Sequence, residues 1–407
     1  MTKTLPLSNL ETKPVDSHQL PRVAIIGAGL TGLITAHLLE QAFAKNSRAI
    51  DIVIFEKSAG VGRLATRYKK SDPNSSHQWQ FDFGAQFFTA KSRAFQAYLQ
   101  PWLQQQVIEP WLAQTAIACS NKLQPELDLD IELSEQWRTE QPRYVSSPKM
   151  TSFGRNIVKL LQSTELNYKT RVTALTEANV NLNDHPTLNI DNDLTEKKPK
   201  TSLFDTDDNH LGLFDWLICT APQAQAIDLL QQTSFTALEA IKQPKMLACY
   251  TLMLGWEKLS DMPYIIREAN WSVLEVKDAN SPIYRVFIEH HKPGREAILP
   301  SVTIYASNVW SEANVDKDLP KVQQQLLQAA QSLLDWDNVS APKLIDCHRW
   351  RYAATQQTVN LAQNIDSNKI IHIDYDKQWI VTGDWCAEGR IESCFEAATE
   401  VVKILVI

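Results

Sequence analysis

The sequence predicts an α/β fold in which a Rossmann-type domain carries an inserted α+β domain built on a mainly antiparallel sheet. A short apolar strand at residues 23–26 leads through a glycine-rich turn directly into an apolar helical pattern. A second buried strand follows at 51–56, and a strand at 379–384 with a helix at 391–405 ends the chain. Residues 246–310 alternate in the β manner, which predicts a separate sheet between the first and last parts of the Rossmann-type domain.

The turn after the first strand has the spacing of a nucleotide-binding motif. Gly27, Gly29 and Gly32 follow the G-x-G-x-x-G pattern. The first glycine allows the tight turn, the second lets backbone N–H groups approach a pyrophosphate, and the third lets helix and strand pack closely. The N-terminus of the helix adds a partial positive charge. Glu56 ends the second strand, where it can accept hydrogen bonds from ribose hydroxyls. This order of elements predicts dinucleotide binding rather than a purely structural βαβ unit.

Length and composition limit the classes to which the protein can belong. At 407 residues the chain exceeds the size at which one core stops growing, which predicts two domains. The net charge of −7, without a basic stripe, argues against nucleic-acid binding. Six scattered cysteines predict buried thiols in a reduced compartment, and neither they nor the histidines form a metal motif. The longest apolar stretch, 23–39, is too short and glycine-rich to span a bilayer, which predicts a cytoplasmic protein.

The elements that follow the second strand are less regular. Residues 57–67 form a second glycine turn, and residues 79–89 alternate until Gly84 breaks the pattern. Residues 90–118 are predicted to be helical, with interruptions at two prolines, and residues 127–145 to be strands. Further along, the pattern predicts helices over 151–161, 223–230 and 320–334, and strands over 168–175 and 213–222.

These elements divide the chain between the two predicted domains. The stretch 179–211 is rich in Asn, Asp, Thr and Lys and is interpreted as a polar insertion without an assigned function. The segments are a flexible N-terminal extension (1–20), the nucleotide-binding domain in three parts (21–95, 148–240 and 343–407) and the substrate domain in two parts (96–147 and 241–342).

Several motifs beyond the first turn resemble those of one family. They are Gly-x-Gly-Arg-x-x-x-Arg at 60–67, Asp-Phe-Gly-Ala-Gln-Phe-Phe-Thr at 82–89, Phe-Asp-Trp-Leu-Ile-Cys-Thr-Ala-Pro at 214–222, His-Arg-Trp-Arg-Tyr-Ala at 348–353, Gly-Asp-Trp-Cys at 383–386 and Gly-Arg-Ile-Glu at 389–392. With them, the chain from Arg22 onward resembles the flavin-dependent amine oxidase-like proteins and, within these, the bacterial renalase-like proteins. Val61 departs from the family pattern, which has Gly-Gly-Arg at the second turn.

The resemblance implies a non-covalently bound FAD. Glu56 and Lys57 would bind the adenosine ribose, and Arg63 would neutralise the pyrophosphate through bidentate hydrogen bonds. Gln86 and Phe87 would line the isoalloxazine ring. The complete set of implied cofactor-binding residues is Gly27, Ala28, Gly29, Thr31, Gly32, Glu56, Lys57, Gly62, Arg63, Gly84, Ala85, Gln86, Phe87, Val172, Gly383, Asp384, Arg390 and Ile391.

Four residues near the end of the chain are candidates for the substrate pocket. Trp350 and Tyr352 could stack on a dihydropyridine ring, Arg351 could meet a carboxamide or a phosphate, and Trp385 could lie beside the flavin. The alternative is that the aromatic residues are core residues and Arg351 is a structural ion-pair partner. Cys386 is interpreted as a buried spectator thiol rather than a point of covalent flavin attachment.

By the same resemblance the protein would be an FAD-dependent oxidase. A reduced nicotinamide dinucleotide, a 2- or 6-dihydro isomer of NAD(P), would pass a hydride to flavin N5, and O2 would reoxidise the flavin and yield H2O2. No catalytic side chain is assigned, because the cofactor is the reactive centre. Two alternatives stay open: an FAD-dependent amine oxidase acting on a small amine, and a non-catalytic flavin-binding redox sensor.

Overall fold

The computed structural model describes residues 20–119, 130–178, 200–356 and 369–406. The predicted extension up to residue 19, residues 127–129 and residues 179–199 of the predicted insertion lie outside these ranges. The strands are β1 (Arg22–Ile26), β2 (Asp51–Glu56), β3 (Thr66–Lys70), β4 (Gln78–Asp82), β5 (Phe88–Thr89), β6 (Ile108–Pro110), β7 (Gln114–Cys119), β8 (Asp130–Gln136), β9 (Arg143–Ser146), β10 (Thr164–Tyr168), β11 (Val172–Ala178), β12 (Lys200–Asp205), β13 (His210–Phe214), β14 (Trp216–Cys219), β15 (Met246–Gly255), β16 (Val273–Val276), β17 (Ile283–Ile288), β18 (Ser301–Ala306), β19 (Leu344–Thr355), β20 (Ile371–Asp374) and β21 (Trp379–Thr382). The helices are α1 (Leu30–Lys45), α2 (Arg93–Gln104), α3 (Thr151–Leu160), α4 (Gln223–Leu230), α5 (Leu238–Ile241), α6 (Tyr264–Arg267), α7 (Asn308–Asn314), α8 (Leu319–Leu334) and α9 (Ile391–Val406). None of these described helices is long and apolar enough to cross a membrane.

A six-stranded sheet forms the predicted Rossmann-type domain. Its order is β10-β2-β1-β14-β21-β20, and neighbouring strands are parallel except for β20, which is antiparallel to β21. Strand β1 pairs with β2 on one side and with β14 on the other. The chain therefore leaves β1 at a switch point of the sheet, which is where open α/β sheets bind ligands beyond the carboxyl ends of their strands.

Both faces of this sheet are covered, as its unbroken apolar strands predict. On one face Ile25 and Ile54 pack with α1, α3 and α9. On the other face Ala24 and Phe55 pack with α4 and with the three-stranded sheet β11-β12-β13. This layered arrangement confirms the predicted Rossmann-type fold.

A second, seven-stranded sheet has the order β19-β15-β18-β17-β16-β7-β8. Its neighbours are antiparallel except for β16 and β7, which confirms the predicted, mainly antiparallel sheet. Alternate residues of each strand face opposite sides. Leu252 and Ile304 pack with α8, whereas Thr251 and Tyr305 line the cavity described below.

The prediction of helix over 90–118 is correct only for its first part. Helix α2 ends at Gln104, and Gln106 then has a φ of 54°, a left-handed conformation that a continuing helix does not allow. The chain continues as the strands β6 and β7. Pro110 lies at the end of β6, an edge strand, where its missing N–H leaves no gap in the sheet.

Two segments, β19 and α2, contact a different part of the structure from the one that the predicted domain division suggests. Strand β19 pairs with β15 of the seven-stranded sheet, although the predicted division at residue 343 assigns it to the nucleotide-binding domain. Helix α2, most of which the division assigns to the substrate domain, packs with α9 as well as with β6, and the ring centroids of Phe95 and Phe395 are 5.3 Å apart. The periodicity of a segment shows its secondary structure but not the sheet with which it packs.

The start of α2 provides a test of local stability. The hydroxyl of Ser92 accepts a hydrogen bond from the backbone N–H of Phe95 at 3.2 Å. We expect Ser92→Ala to lower the free energy of unfolding by about 1 kcal/mol, because this N–H loses its acceptor. Urea unfolding followed by circular dichroism measures the change. Ser76→Ala, in an exposed loop, is the control, and its free energy of unfolding should change by no more than about 0.5 kcal/mol. Equal losses of stability in both variants would contradict a capping role for Ser92.

Candidate functional site

A cavity of about 1190 Å³ extends from the carboxyl ends of β1 and β2 to the seven-stranded sheet. All four predicted substrate-pocket residues line it, namely Trp350, Arg351, Tyr352 and Trp385. The predicted cofactor-binding residues that line it are Gly27, Gly29, Thr31, Glu56, Lys57, Gly62, Arg63, Gly84, Ala85, Gln86, Phe87, Val172, Asp384, Arg390 and Ile391. Ala28, Gly32 and Gly383 are not part of its wall.

The first glycine turn presents bare backbone to the cavity. Gly27 has a φ of 108°, and a Cβ at Gly32 would lie 2.1 Å from the carbonyl oxygen of Gly27, so both positions require glycine. A Cβ at Gly29 would instead meet no atom of the described residues within 4 Å. Helix α1 begins beside Gly29, with no acidic residue in its first turn and no side-chain cap from the described part of the chain. Its first N–H groups therefore suit an anion such as a phosphate.

Glu56 is held in place beside this turn. Its carboxylate accepts hydrogen bonds from the backbone N–H groups of Ala28 and Ser58, at 2.9 and 2.8 Å. Ala28 thus acts on the site through its N–H rather than by lining the cavity. Each carboxylate oxygen keeps a lone pair for another donor, which suits a ribose hydroxyl. The neighbouring Lys57 donates to the Gln225 side chain at 2.9 Å, and burial lowers the pKa of this lysine.

The second glycine turn lies against the first. Gly62 has a φ of 67°, and a Cβ there would lie 3.0 Å from the Cα of Gly29. The guanidinium of Arg63 donates to the carboxylate of Asp384 and, at 3.0 Å, to the carbonyl oxygen of Ala353. These two contacts hold Arg63 in the cavity wall, and its bidentate contact with a pyrophosphate stays a prediction.

Val61, which departs from the family pattern, has a packing role. It is buried, and a Cβ at Gly154 of α3 would lie only 2.9 Å from the Cβ of Val61. The valine therefore fills the contact between the second turn and α3. Gly383 is also a packing position, since a Cβ there would lie 2.7 Å from the Nε1 atom of Trp385.

Gln86 and Phe87 line the cavity after the turn at Gly84. A Cβ at Gly84 would lie 1.9 Å from the carbonyl oxygen of Arg63, so only glycine allows the two segments to approach. The Gln86 side chain accepts a hydrogen bond from the Nζ atom of Lys292 at 2.5 Å, and its amide group donates to a backbone carbonyl oxygen of β4. Both ends of the Gln86 amide are thereby fixed.

A buried ionic cluster, consisting of Asp82, Glu289, Lys292 and Arg295, lies behind Gln86. All four residues are at most 2% exposed. The ammonium of Lys292 is 3.2 Å from Asp82 and 2.7 Å from Glu289, and the guanidinium of Arg295 is 2.6 Å from Asp82. Burial alone would raise the pKa of Asp82, but the two cations lower it to about 2, whereas burial and the charge of Asp82 raise the pKa of Glu289. Asp82 is therefore ionised at neutral pH.

The sequence analysis did not identify this cluster. Its one local signal is an acidic residue at the end of strand β4, in which polar and apolar residues alternate. Buried carboxylates require partners, but the cationic partners of Asp82 come from a segment more than 200 residues further along the chain.

Trp350 and Trp385 of the predicted substrate pocket pack within the fold, and their contact with a substrate stays a prediction. The rings of Trp350 and Phe83 stack with centroids 5.3 Å apart, and the Trp350 indole donates to the carbonyl oxygen of Phe83 at 2.8 Å. Trp385 is buried and donates to a backbone carbonyl oxygen at 3.0 Å. Both indoles therefore pack within the fold and also line the cavity. Arg351 forms an exposed ion pair with Asp316 at 2.9 Å.

Cys386 and the possible metal ligands can be assessed within the part of the chain that the structure describes. Cys386 is buried, burial raises the pKa of its thiol, and it is not part of the cavity wall. Within the four described ranges, no group of three or more His, Cys, Asp and Glu residues is arranged to hold a metal ion.

Comparison with known proteins identifies the fold. The family described as the NAD(P)-binding Rossmann-like domain matches residues 25–102. A protein from Exiguobacterium sp. 255-15, provisionally named a protoporphyrinogen oxidase, has a similar structure with a TM-score of 0.68 at 13% identity, over 95% of this chain and 98% of the other. A putrescine oxidase variant redesigned for cofactor binding matches with a TM-score of 0.61 at 8% identity, over 95% of this chain and 99% of the other. The chain shares the fold of these two structures. In this fold the cavity lies between the nucleotide-binding sheet and the second sheet.

Proposed function

We propose that the protein is an FAD-dependent oxidase of the renalase type, which oxidises a reduced nicotinamide dinucleotide. The observation that carries the proposal is the charge of the cavity. Although the chain has a net charge of −7, eight cationic side chains but only three carboxylates are found among the described residues that line the cavity. The cations are Lys57, Arg63, Arg155, Arg171, Arg285, Arg349, Arg351 and Arg390, and the carboxylates are those of Glu56, Asp228 and Asp384. Such a cavity suits anionic ligands, as two dinucleotides would be.

The residues present fit FAD as the first of these ligands. The open backbone at Gly29 and the uncapped start of α1 suit its pyrophosphate, and Glu56 suits its adenosine ribose. Val172, which lines the cavity at the start of β11, would provide backbone hydrogen bonds to adenine. Asp384, held by Arg63, would bind the ribityl or phosphate region.

The bound flavin would supply the hydride acceptor and the reactivity toward O2. The chain itself supplies binding, orientation and exclusion of water. Gln86, fixed at both ends of its amide, and the stacked rings of Phe83 and Trp350 form rigid walls of the cavity. Rigid walls hold a planar substrate ring in one orientation, which is the main contribution that a flavin enzyme makes to hydride transfer.

The same charge distribution argues against the alternatives. A small amine binds as an ammonium ion, which the surplus of cationic side chains would repel. A flavin-binding sensor without a substrate needs room for FAD alone, whereas this cavity of about 1190 Å³ also extends beyond the predicted FAD-binding residues to β17 and β18 of the seven-stranded sheet. An amine oxidase and a redox sensor are therefore the second and third candidates.

Anaerobic stopped-flow spectroscopy of the FAD-loaded protein tests the proposal. We expect rapid loss of the flavin band near ~450 nm with 2- or 6-dihydro isomers of NADH, and H2O2 after oxygen is admitted. Putrescine and protoporphyrinogen, the substrates suggested by the names of the similar structures, serve as comparison compounds. Reduction by putrescine but by no dihydronicotinamide would replace the proposal with amine oxidation. Reduction by dithionite alone would favour the sensor.

A further inference from the structure

Two hydrogen-bond donors in the cavity wall lack acceptors. Among the described residues, the Tyr305 hydroxyl and the Nε atom of Arg285 are buried without a hydrogen-bond partner. Both residues line the cavity. They are directly paired across β17 and β18, so their side chains leave the sheet on the same face. A buried donor without an acceptor is costly, and two such donors side by side indicate a place where a ligand completes the hydrogen bonds.

The surroundings keep both groups protonated, so both can donate a hydrogen bond. Burial, together with the neighbouring Cys249, raises the pKa of Tyr305 well above its usual value, so its hydroxyl stays protonated. The nearby Gln86 side chain lowers this pKa in part as a hydrogen-bonding neighbour, but its contact with the hydroxyl does not meet the geometry of a hydrogen bond. Arg285 is oriented by an ion pair with Glu275 at 2.8 Å and by the Tyr284 ring, whose centroid is 4.6 Å from the guanidinium carbon. A guanidinium has donors only.

We propose that Tyr305 and Arg285 together recognise a carbonyl or carboxylate oxygen on the substrate. This inference rests on the proposed function, in which the carboxamide of the nicotinamide ring supplies that oxygen. The guanidinium of Arg285 cannot accept a hydrogen bond from an ammonium group and repels its charge, so the pair also selects against amines bound through their nitrogen. Tyr305 and Arg285 are thus specificity-determining residues, and neither was singled out in the sequence analysis.

Isothermal titration calorimetry of the FAD-loaded protein with three probes tests the pair. The probes are NAD+, benzoate and benzylamine; the last two present a carboxylate or an ammonium on the same ring. We expect Tyr305→Phe and Arg285→Lys each to weaken binding of NAD+ and of benzoate about tenfold, since each loses one hydrogen bond to the ligand. Tyr264→Phe, at a residue that is 70% exposed and outside the cavity wall, is the matched control and should bind like the wild type.

Thermal unfolding separates this role from a structural one. Because the Tyr305 hydroxyl has no partner among the described residues, Tyr305→Phe should melt at or above the wild-type temperature. A lower melting temperature with unchanged probe affinity would show a structural hydroxyl and overturn the inference. Weaker FAD binding with unchanged probe affinity would place the acceptor on the cofactor and also overturn it.

The probes distinguish failure of the inference from failure of the proposed function. If the wild type binds NAD+ and Tyr305→Phe binds it equally well, the inference is wrong and the proposed function stands. If benzoate binding depends on Tyr305 but NAD+ does not bind, the inference stands and the proposed substrate is wrong. Tighter binding of benzylamine than of benzoate, or binding of neither NAD+ nor benzoate, would overturn the inference.

Discussion

Gly29→Val is expected to leave the protein folded but to weaken FAD binding at least about a hundredfold. Gly29 has an ordinary φ of −68°, and a Cβ there would meet no described atom within 4 Å. The backbone therefore accepts a side chain, which would project into the space where a pyrophosphate approaches the N-terminus of α1. Titration of the apoprotein with FAD, followed by flavin fluorescence, measures the loss, and circular dichroism verifies the fold.

Gly32→Val is the matched comparison, because it places the same side chain in the same turn. A Cβ at Gly32 would lie 2.1 Å from a backbone oxygen, so this variant should lose stability as well as FAD binding. The two variants thus separate access of the ligand from packing of the turn. Wild-type FAD affinity in a folded Gly29→Val protein would show that the pyrophosphate does not lie over this turn.

Asp82→Asn is expected to lower the free energy of unfolding by about 3–5 kcal/mol. The Asp82 carboxylate is fully buried and neutralises Lys292 and Arg295, at 3.2 and 2.6 Å. An amide in its place leaves two cations with one carboxylate, that of Glu289, in a region buried from solvent. Urea denaturation of the purified protein measures the change.

Asp316→Asn is the control for this variant. It removes the same charge from an ion pair, but the Asp316 side chain is 84% exposed, so its loss should change stability by no more than about 1 kcal/mol. Similar small losses in both variants would show that the buried cluster is not a source of stability. Its remaining role would then be to position Gln86, through the hydrogen bond from Lys292.

The parts of the site that the sequence predicts are those formed by neighbouring residues. Gly27 and Gly32 were assigned from spacing alone, and a positive φ and a close backbone contact explain why each must be glycine. Glu56 was assigned from its place at the end of a strand, and it lies beside the turn because β1 and β2 are adjacent. Local geometry of this kind follows directly from the order of residues.

The parts that the sequence does not predict depend on distant pairings. Tyr305 and Arg285 form a donor pair only because of the register between β17 and β18. Lys292 and Asp82 meet across 210 residues of chain. Trp350 was left with two alternative roles, and the structure shows that one indole can both pack and line a cavity, which composition and spacing cannot reveal.

The alternation of side chains in the seven-stranded sheet gives its two faces separate evolutionary constraints. Along β15 and β18, Thr251 and Tyr305 border the cavity, whereas their neighbours Leu252 and Ile304 pack with α8. A substitution at a cavity position changes what the protein can bind while the support behind the sheet stays intact. New substrates can therefore be acquired by changing residues on the cavity face of a few strands, and a position such as Tyr305, whose hydroxyl has no partner among the described residues, would vary specificity at the least risk to folding.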